Sequence, residues 1–398
     1  MSADREQRLV HFHIGGRAGS TSLIAPPGFA KDIALVLFDA DEGCISQAEK
    51  DAGATFSDVI SAPYFIGRGG GETTFHVNYD PFSSSAYLLN PYFREYWTSV
   101  GGTDYVLGEV TQPVSEIKVP SHSLDSLCTG PEAILTAPDL LTIDAQASEF
   151  DILRGASALL DDYVVTIIAE VQFSDVYRGG ARFGEISDYL QSKGFLFAAF
   201  NRFDHYAPLR GRIGARGAGL CLFADALFFR DPHLMASTWG DRADPALRKL
   251  AFLAICHHQL EFAQLCLGLC SQSGVPAEGL AYLGLLRDFE AACALLPEPR
   301  PWTYGEAYDA ETSSAFHQQP SDAVAERIRE TMAAKVPREH GKLREMSSGT
   351  DGVVQVLERY GFLFAANIST HQEEMLKAYA DSVNRWQRPG LAPANDRG

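Results

Sequence analysis

The chain lacks the positive charge that would favour binding to nucleic acid or to an anionic membrane. Its 398 residues include 33 lysines and arginines against 51 aspartates and glutamates, and the formal net charge at pH 7 is −18. An acidic surface repels phosphate groups instead of attracting them. We therefore expect no nucleic-acid partner, and the excess of acid by itself indicates only an ordinary solvated surface.

Long hydrophobic runs and a secretion signal are also missing. No run approaches the roughly 20 apolar residues of a membrane-spanning helix, and the polar start, residues 1–8, lacks the apolar core of a signal peptide. The seven cysteines are scattered and mostly lie in apolar sequence. Reduced thiols fit this usage best, so we expect a cytoplasmic protein without a membrane span.

Cys266 and Cys270 lie one helical turn apart, but no neighbours with zinc-site spacing accompany them, which favours a buried helix over a metal site.

Two apolar strands near the start of the chain end on residues suited to a nucleotide ligand. The first, residues 9–14, runs into Gly15 and Gly16, and the second, residues 34–38, ends before Asp39 and Asp41. Glycine lets the backbone approach a ligand closely. A carboxylate some 20 residues further on can accept hydrogen bonds from ribose hydroxyls. The pattern predicts a nucleotide-binding half-sheet.

The most informative segment is 140–156, LLTIDAQASEFDILRGA. In it an apolar strand leads to three polar side chains, Asp144, Gln146 and Glu149, before a short helix. Asp144 lies at the strand end, where open α/β sheets bind ligands; it is either a general base or the N-cap of the helix near Ser148. Glu149 suits the first helical turn in any case. Glu170 ends the next apolar run, 164–171, and two close carboxylates would raise each other's pKa. A divalent ion shared with His122 or His205 is less favoured, because no recognisable ligand set accompanies these acids.

The pattern changes near residue 232, after which strand signals vanish. Helical periodicity continues through 245–270, 279–296, 321–335 and 350–386, with a proline-containing connection at 297–319 and a polar tail from about 388. We expect an α/β domain over 1–235 and an all-helical domain over 236–398 with a disordered tail. The helical domain is a possible surface for a protein partner.

Five stretches together resemble the FkbM family of S-adenosylmethionine-dependent methyltransferases. They are HIGGRAGS at 13–20, LFDADEGC at 37–44, HSLDSL at 122–127, the segment 140–156 followed by IIAEVQFSDVY at 167–177, and, more weakly, YDPFSSSAYLLNP at 79–91. The resemblance implies a Rossmann-like class I methyltransferase sheet, mostly parallel with an antiparallel last strand, and S-adenosyl-L-methionine as cofactor. It also implies methyl transfer to a hydroxyl of a sugar or another small hydroxylated acceptor. It does not extend into the helical domain.

The resemblance assigns roles to residues in three groups and assigns no metal ligand. The catalytic candidates are Asp144 and Glu170, the cofactor-binding candidates are His13, Gly15, Gly16, Asp39 and Asp41, and the substrate candidates are Ser84, Ser85 and Tyr177. His76 and Ser83 are further candidate acceptor contacts, or exposed loop residues without function.

Two residues depart from the family pattern. His13 stands where the family has an acid, and Ala147 stands where it has glycine. His13 is either a donor to the amino acid portion of the cofactor or a strand-end histidine bonded to the protein. These departures support an alternative function, a catalytically degenerate fold that serves as a cofactor-binding or protein-interaction module. A nicotinamide-dependent oxidoreductase is a weaker alternative, because its glycine loop is incomplete.

Overall fold

The computed structural model describes residues 8–15, 25–56, 58–94, 97–100, 105–131, 133–208, 219–271, 279–296 and 352–362. The chain divides into two compact units, Met1–Leu286 and Arg287–Gly398. Gly16, most of the segment at 210–219, for which the sequence predicts a loop, and the segments predicted at 297–319, 321–335 and 388–398 lie outside the described residues.

Eleven strands and ten α-helices have defined bounds within these ranges. The strands are β1 (Leu9–Ile14), β2 (Ile33–Phe38), β3 (Asp58–Ala62), β4 (Phe65–Ile66), β5 (Gly71–Asn78), β6 (Thr98–Ser99), β7 (Pro113–His122), β8 (Leu140–Ile143), β9 (Thr166–Gln172), β10 (Phe195–Ala207) and β11 (Leu220–Arg230). The helices are α1 (Glu42–Gly53), α2 (Leu107–Val110), α3 (Leu124–Cys128), α4 (Glu149–Arg154), α5 (Ser157–Asp162), α6 (Phe183–Ser192), α7 (Pro232–Thr238), α8 (Ala243–Cys256), α9 (Leu260–Gly268) and α10 (Ala281–Cys293). A further helical segment covers 352–359.

The larger sheet has eight strands in the order β3-β2-β1-β8-β9-β11-β10-β6. The first five strands pair in parallel, whereas β11 runs antiparallel to both of its neighbours. The predicted α/β class, with a mostly parallel sheet and an antiparallel strand near the end of the fold, is confirmed. Strands β8 and β9 are buried along their whole length, as expected for parallel strands covered on both faces.

A smaller sheet lies in the long insertion between β3 and β8. Its strands follow the order β4-β7-β5, with β4 parallel and β5 antiparallel to β7. The sequence also predicts extended segments at 72–78 and 109–119. They correspond to β5 and β7, although β7 begins later because α2 occupies 107–110. The insertion thus adds a separate layer beside the main sheet.

Apolar residues at helical spacing predict one helix over 148–160, but the structure has two short helices there, separated at Gly155. A Cβ atom on Gly155 would lie 2.1 Å from the carbonyl oxygen of Gly67. The backbone of the insertion therefore packs directly against the turn between α4 and α5, where no side chain has room. The helix expected over 245–270 is likewise divided, and His258, with a φ of 61°, lies between α8 and α9.

Helices α7, α8 and α9 belong to the same compact unit as the sheet. Lys249 on α8 donates to both carboxylate oxygens of Asp139, at 2.9 and 2.8 Å, and Asp139 also accepts from the Val10 amide at 2.8 Å. This buried ion pair joins α8 to the strands β1 and β8. The predicted domain boundary near residue 235 stays a prediction, drawn from the change in periodicity.

No helix in the described ranges is long and apolar enough to cross a membrane.

Candidate active site

The carboxyl ends of β1, β2 and β8 are joined through their backbones. The Gly15 amide donates to the Phe38 carbonyl at 3.1 Å, and the Asp144 amide donates to the Ile14 carbonyl at 3.0 Å. Gly15 has a φ of +89°, and a Cβ atom there would lie 1.8 Å from the carbonyl oxygen of Asp144. Only glycine satisfies both requirements, since L-residues rarely adopt this conformation.

Asp39 begins the turn that follows β2, next to Gly15 at the same sheet edge. Its Oδ1 atom accepts a hydrogen bond of 2.8 Å from the Asp41 amide, which fixes the local turn. Both aspartates are half-buried. The structure therefore brings Gly15, Asp39 and Asp41 together at one edge of the sheet, as the sequence predicts.

His13 turns its ring toward a neighbouring strand. Its Nδ1 atom lies 2.7 Å from Thr142 Oγ1, and His11 Nε2 lies 2.8 Å from the same oxygen. Burial lowers the pKa of His13 to about 4, so the ring is neutral at pH 7. The threonine hydroxyl carries one hydrogen, so when it donates to one ring it can only accept from the other.

Gln146 links the two predicted catalytic carboxylates. Its Nε2 atom donates to Asp144 Oδ1 at 2.9 Å and approaches Glu170 Oε2 at 3.5 Å. The Tyr177 hydroxyl donates to Gln146 Oε1 at 2.8 Å, and the Ser85 hydroxyl donates to the Gln146 carbonyl at 2.5 Å. Two of the predicted substrate residues therefore hold the residue that joins the catalytic pair.

The backbone at this position is strained. Gln146 has a φ of 50° and Ala147 a φ of 78°, although neither is glycine. Such conformations cost free energy and are concentrated at functional sites. The glycine expected from the family pattern at 147 would adopt this conformation without strain, which gives a physical reason for that pattern.

Four carboxylates at this rim have raised pKa values. Burial raises the pKa of Glu149 to about 8, and it raises that of Glu170 well above its usual range, with further contributions from Asp144 and Glu149. Asp144 keeps contact with solvent, but the surrounding protein still raises its pKa by desolvation. Burial raises the pKa of Asp225 to about 6, an effect that Arg202 partly opposes. The rim therefore holds protons near neutral pH.

The serine loop of the insertion is built into the fold. Ser85 is fully buried, accepts a hydrogen bond from the Tyr87 amide at 2.8 Å and exchanges backbone hydrogen bonds with His76. Ser84 accepts from the Asn78 amide at 3.1 Å. The alternative that His76 and Ser83 are exposed loop residues is wrong, because both are buried. The bonds of Ser85 point to a positioning role for this residue.

The sequence placed Gln146 beside Asp144 without giving it a role, and it did not identify Asp225 and Arg202 as members of the site. Asp225 is the cross-strand partner of both Glu170 and Arg202 in the sheet. A signal was available for Asp225, since it is the single charged residue in the otherwise apolar stretch 220–229. In the parts of the chain that the structure describes, no group of three or more histidine, cysteine or acidic side chains could hold a metal ion.

Part of the chain matches a known protein family. Residues 49–197 match the family model described as the methyltransferase FkbM domain. This match confirms the resemblance to the FkbM methyltransferase family over these residues. It includes the stretches at 79–91, 122–127, 140–156 and 167–177 but not those at 13–20 and 37–44. No curated protein matches the chain.

One solved structure is similar, a crystal structure of methyltransferase FkbM from Methylobacillus flagellatus KT. It has 12% sequence identity and a TM-score of 0.31, and the alignment covers 56% of this chain and 44% of that chain. The chain thus spans less than half the length of the solved structure that it matches.

Proposed function

We propose that the protein is an S-adenosylmethionine-dependent O-methyltransferase that acts on a hydroxyl of a sugar or another small hydroxylated acceptor. The observation that carries the proposal is the pair Asp144 and Glu170, held together by Gln146 at the sheet edge that also contains Gly15 and Asp39. Both carboxylates lie within residues 49–197, the segment that matches a methyltransferase domain.

The residues at the end of β1 and β2 suit the proposed cofactor. S-adenosylmethionine supplies an electrophilic methyl group on a sulfonium cation. The open backbone at Gly15 allows close approach, and the Asp39 carboxylate is suited to ribose hydroxyls. Because burial keeps protons on Glu149 and Glu170 near neutral pH, Asp144, which contacts solvent, is the rim carboxylate best placed to offer negative charge to a cationic ligand. Asp41 is the proposed second acid of the ribose site.

We assign Asp144 the role of general base. In methyl transfer the carbon–sulfur bond breaks while a bond forms to the acceptor oxygen, and the acceptor hydroxyl releases its proton. Asp144 is the more solvent-accessible member of the pair and can accept that proton, a contribution of typically 10²- to 10⁴-fold. Glu170, buried and with a raised pKa, holds Gln146 and Asp144 in place. Alignment of the acceptor oxygen with the methyl group supplies the larger share of the rate enhancement.

The test uses two variants of the full-length protein. Calorimetry with S-adenosylmethionine should show weaker binding for Asp39→Ala and normal binding for Asp144→Asn. Transfer of a labelled methyl group to a panel of sugars and other hydroxylated acceptors should fall strongly for Asp144→Asn. Normal cofactor binding by Asp39→Ala refutes the ribose assignment, and full activity of Asp144→Asn refutes the base assignment.

A degenerate, cofactor-binding or protein-interaction module is the second candidate. The engagement of His13 by Thr142 and the strained Ala147 favour it, because neither residue follows the family pattern. Binding of S-adenosylmethionine without turnover on the whole panel would support this module. Absence of binding at millimolar concentration would exclude the enzyme. A protein partner at the C-terminal helices belongs to the same proposal.

We also propose a cytoplasmic location. Cys128, Cys221, Cys256 and Cys266 are free thiols, which suits a reducing compartment.

A further inference from the structure

A cavity of about 370 Å³ lies between the smaller sheet and the start of α4. Its walls come from the Gly67–Thr73 part of the insertion, from the loop around Tyr87, and from Ser121, Ser148 and Asp151. None of the residues proposed for catalysis or for cofactor binding lines it. Its volume falls in the range of small-molecule sites, about 300–1,000 Å³.

The cavity wall carries one arginine and two carboxylates. Arg68 donates through Nε to Asp151 Oδ1 at 2.6 Å, and the Tyr87 hydroxyl donates to Asp151 Oδ2 at 2.6 Å. Glu72 adds a further negative charge to the wall. An anionic ligand would meet no unbalanced cation here, so the wall disfavours an anion, and the Glu72 carboxylate can accept hydrogen bonds from the hydroxyl groups of a neutral molecule.

Ser148 provides a polar group that calls for a partner. The residue is 2% exposed, and its hydroxyl has no hydrogen-bond partner among the residues that the structure describes. Although Ser148 precedes α4 as the N-cap residue, its side chain makes no capping bond. A buried polar group without a partner costs about 1–3 kcal/mol. A hydroxyl-bearing ligand in the cavity would satisfy it.

Glycine keeps one wall of the cavity open. Gly70 and Gly71 have φ values of +80° and +124°, and a Cβ atom on either would meet no other atom within 4 Å. The space beside them is therefore free for a ligand, and the backbone is accessible there. Phe65 adds an aromatic ring to the same wall. Carboxylate acceptors, hydroxyls that both donate and accept, and an aromatic ring together match a ligand that carries several hydroxyl groups on an apolar ring.

We propose that this cavity binds a neutral, hydroxyl-rich ligand of the size of one sugar ring. The inference goes beyond the proposed reaction, because it requires neither S-adenosylmethionine nor methyl transfer. Binding is therefore measured without cofactor, and failure of the reaction and failure of this site give separate results.

The experiment measures binding of small probes to the full-length protein by titration calorimetry and ligand-observed NMR. The neutral probes are methyl α-D-glucopyranoside, methyl β-D-galactopyranoside and myo-inositol, and the charged comparators are glucose 6-phosphate and choline. We expect at least one neutral probe to bind with a millimolar dissociation constant and to bind better than either comparator.

Three variants locate the binding in the cavity. Ser148→Ala should weaken binding roughly tenfold, while the thermal stability of the free protein stays equal or rises, because an unsatisfied hydroxyl is removed. Ala86→Phe should abolish binding by filling the cavity. Ser187→Ala, a buried serine on α6 that does not line the cavity, should leave binding unchanged.

Three results would overturn the proposal. They are the absence of binding by every neutral probe, a preference for glucose 6-phosphate or choline, and neutral binding that persists in both Ser148→Ala and Ala86→Phe.

Discussion

The Tyr177 hydroxyl donates a hydrogen bond of 2.8 Å to Gln146 Oε1 and thereby fixes the direction of the glutamine amide. Because the oxygen faces Tyr177, the Nε2 group faces Asp144 and Glu170. Tyr177 is 2% exposed, so most of its surface contacts the protein. We propose that Tyr177 positions the carboxylate pair, while its role as a substrate contact stays a prediction.

Tyr177→Phe should lower the rate of methyl transfer with little change in affinity for S-adenosylmethionine, because the amide is then free to rotate away from Asp144. The lost hydrogen bond should cost about 1 kcal/mol of folding stability. Steady-state kinetics and urea unfolding check these effects. Tyr105→Phe is the control, since it removes a tyrosine hydrogen bond to Asp80. An equal loss of rate in both variants would contradict the positioning role.

Gly15→Ala should destabilise the protein and impair cofactor binding. A left-handed conformation costs an L-residue roughly 1–2 kcal/mol, and the added Cβ atom would meet the Asp144 carbonyl oxygen at 1.8 Å. The backbone between β1 and β8 must then separate. Gly28→Ala is the matched control, since a Cβ atom there meets nothing within 4 Å. Unfolding midpoints and calorimetry test the pair, and equal stability of the two variants would contradict the argument.

The main sheet could be predicted from the sequence because several of its strands are short, nearly continuous apolar runs. The run at 9–14 coincides with β1, and the β-branched run at 164–171 largely coincides with β9. The same runs predicted that Asp39 and Asp144 lie directly after the ends of β2 and β8. Glu170 was expected at the end of its strand but lies two residues inside it.

The rest of the site depends on contacts between distant segments. The left-handed backbone at Gln146 and Ala147 leaves no mark in composition or periodicity, because neither residue favours that conformation. The pairing of Asp225 with Glu170 requires the register of two antiparallel strands, which hydrophobic alternation does not fix when both strands are buried. The split at Gly155 arises from close approach of Gly67 in a separate sheet.

Ala147→Gly should change the free energy of unfolding by less than about 1 kcal/mol. Relief of left-handed strain, about 1–2 kcal/mol, is offset by the loss of a buried methyl group, about 0.8 kcal/mol, and by the backbone entropy of glycine, about 0.5–1 kcal/mol. Ala169→Gly in β9 removes a fully buried methyl group without relieving strain and should lose about 1–2 kcal/mol. Urea unfolding compares the two, and equal losses would show that Ala147 is unstrained.

Lys249→Met should destabilise the unit that contains the main sheet. The substitution leaves the Asp139 carboxylate buried without its cation, and breaking a buried pair in this way typically costs about 3–5 kcal/mol. Adding Asp139→Asn should recover part of the loss, because the asparagine oxygen still accepts from the Val10 amide. Denaturant unfolding of both variants measures this coupling. A loss below about 1 kcal/mol in Lys249→Met would favour the predicted boundary near 235, which places Lys249 in a separate domain.

The contribution of Glu149 to the stability of the protein should fall as pH rises from 4.5, the ordinary pKa of a glutamate side chain, to about 8, the pKa of Glu149 in the folded protein. Across this window the folded protein keeps a proton on Glu149 that the unfolded chain has released, so rising pH favours unfolding. The cause is burial of the carboxyl, and the raised pKa of Glu170 acts in the same direction. The stabilising contribution of the Glu149 proton is fully present below pH 4.5 and is lost as pH rises through about 8.

Glu149→Gln isolates this contribution. The glutamine oxygen can still accept the hydrogen bond from the Ala145 amide, which Glu149 Oε1 accepts at 2.8 Å, but the side chain no longer titrates. We expect a shallower pH dependence and, at the upper end of the window, a stability gain on the order of 2–4 kcal/mol. Urea unfolding across the window measures both. Glu261→Gln, at an exposed position on α9, should leave the slope unchanged. If Glu149→Gln also leaves the slope unchanged, Glu149 is ionised in the folded protein and the rim carries more negative charge at neutral pH than its burial implies.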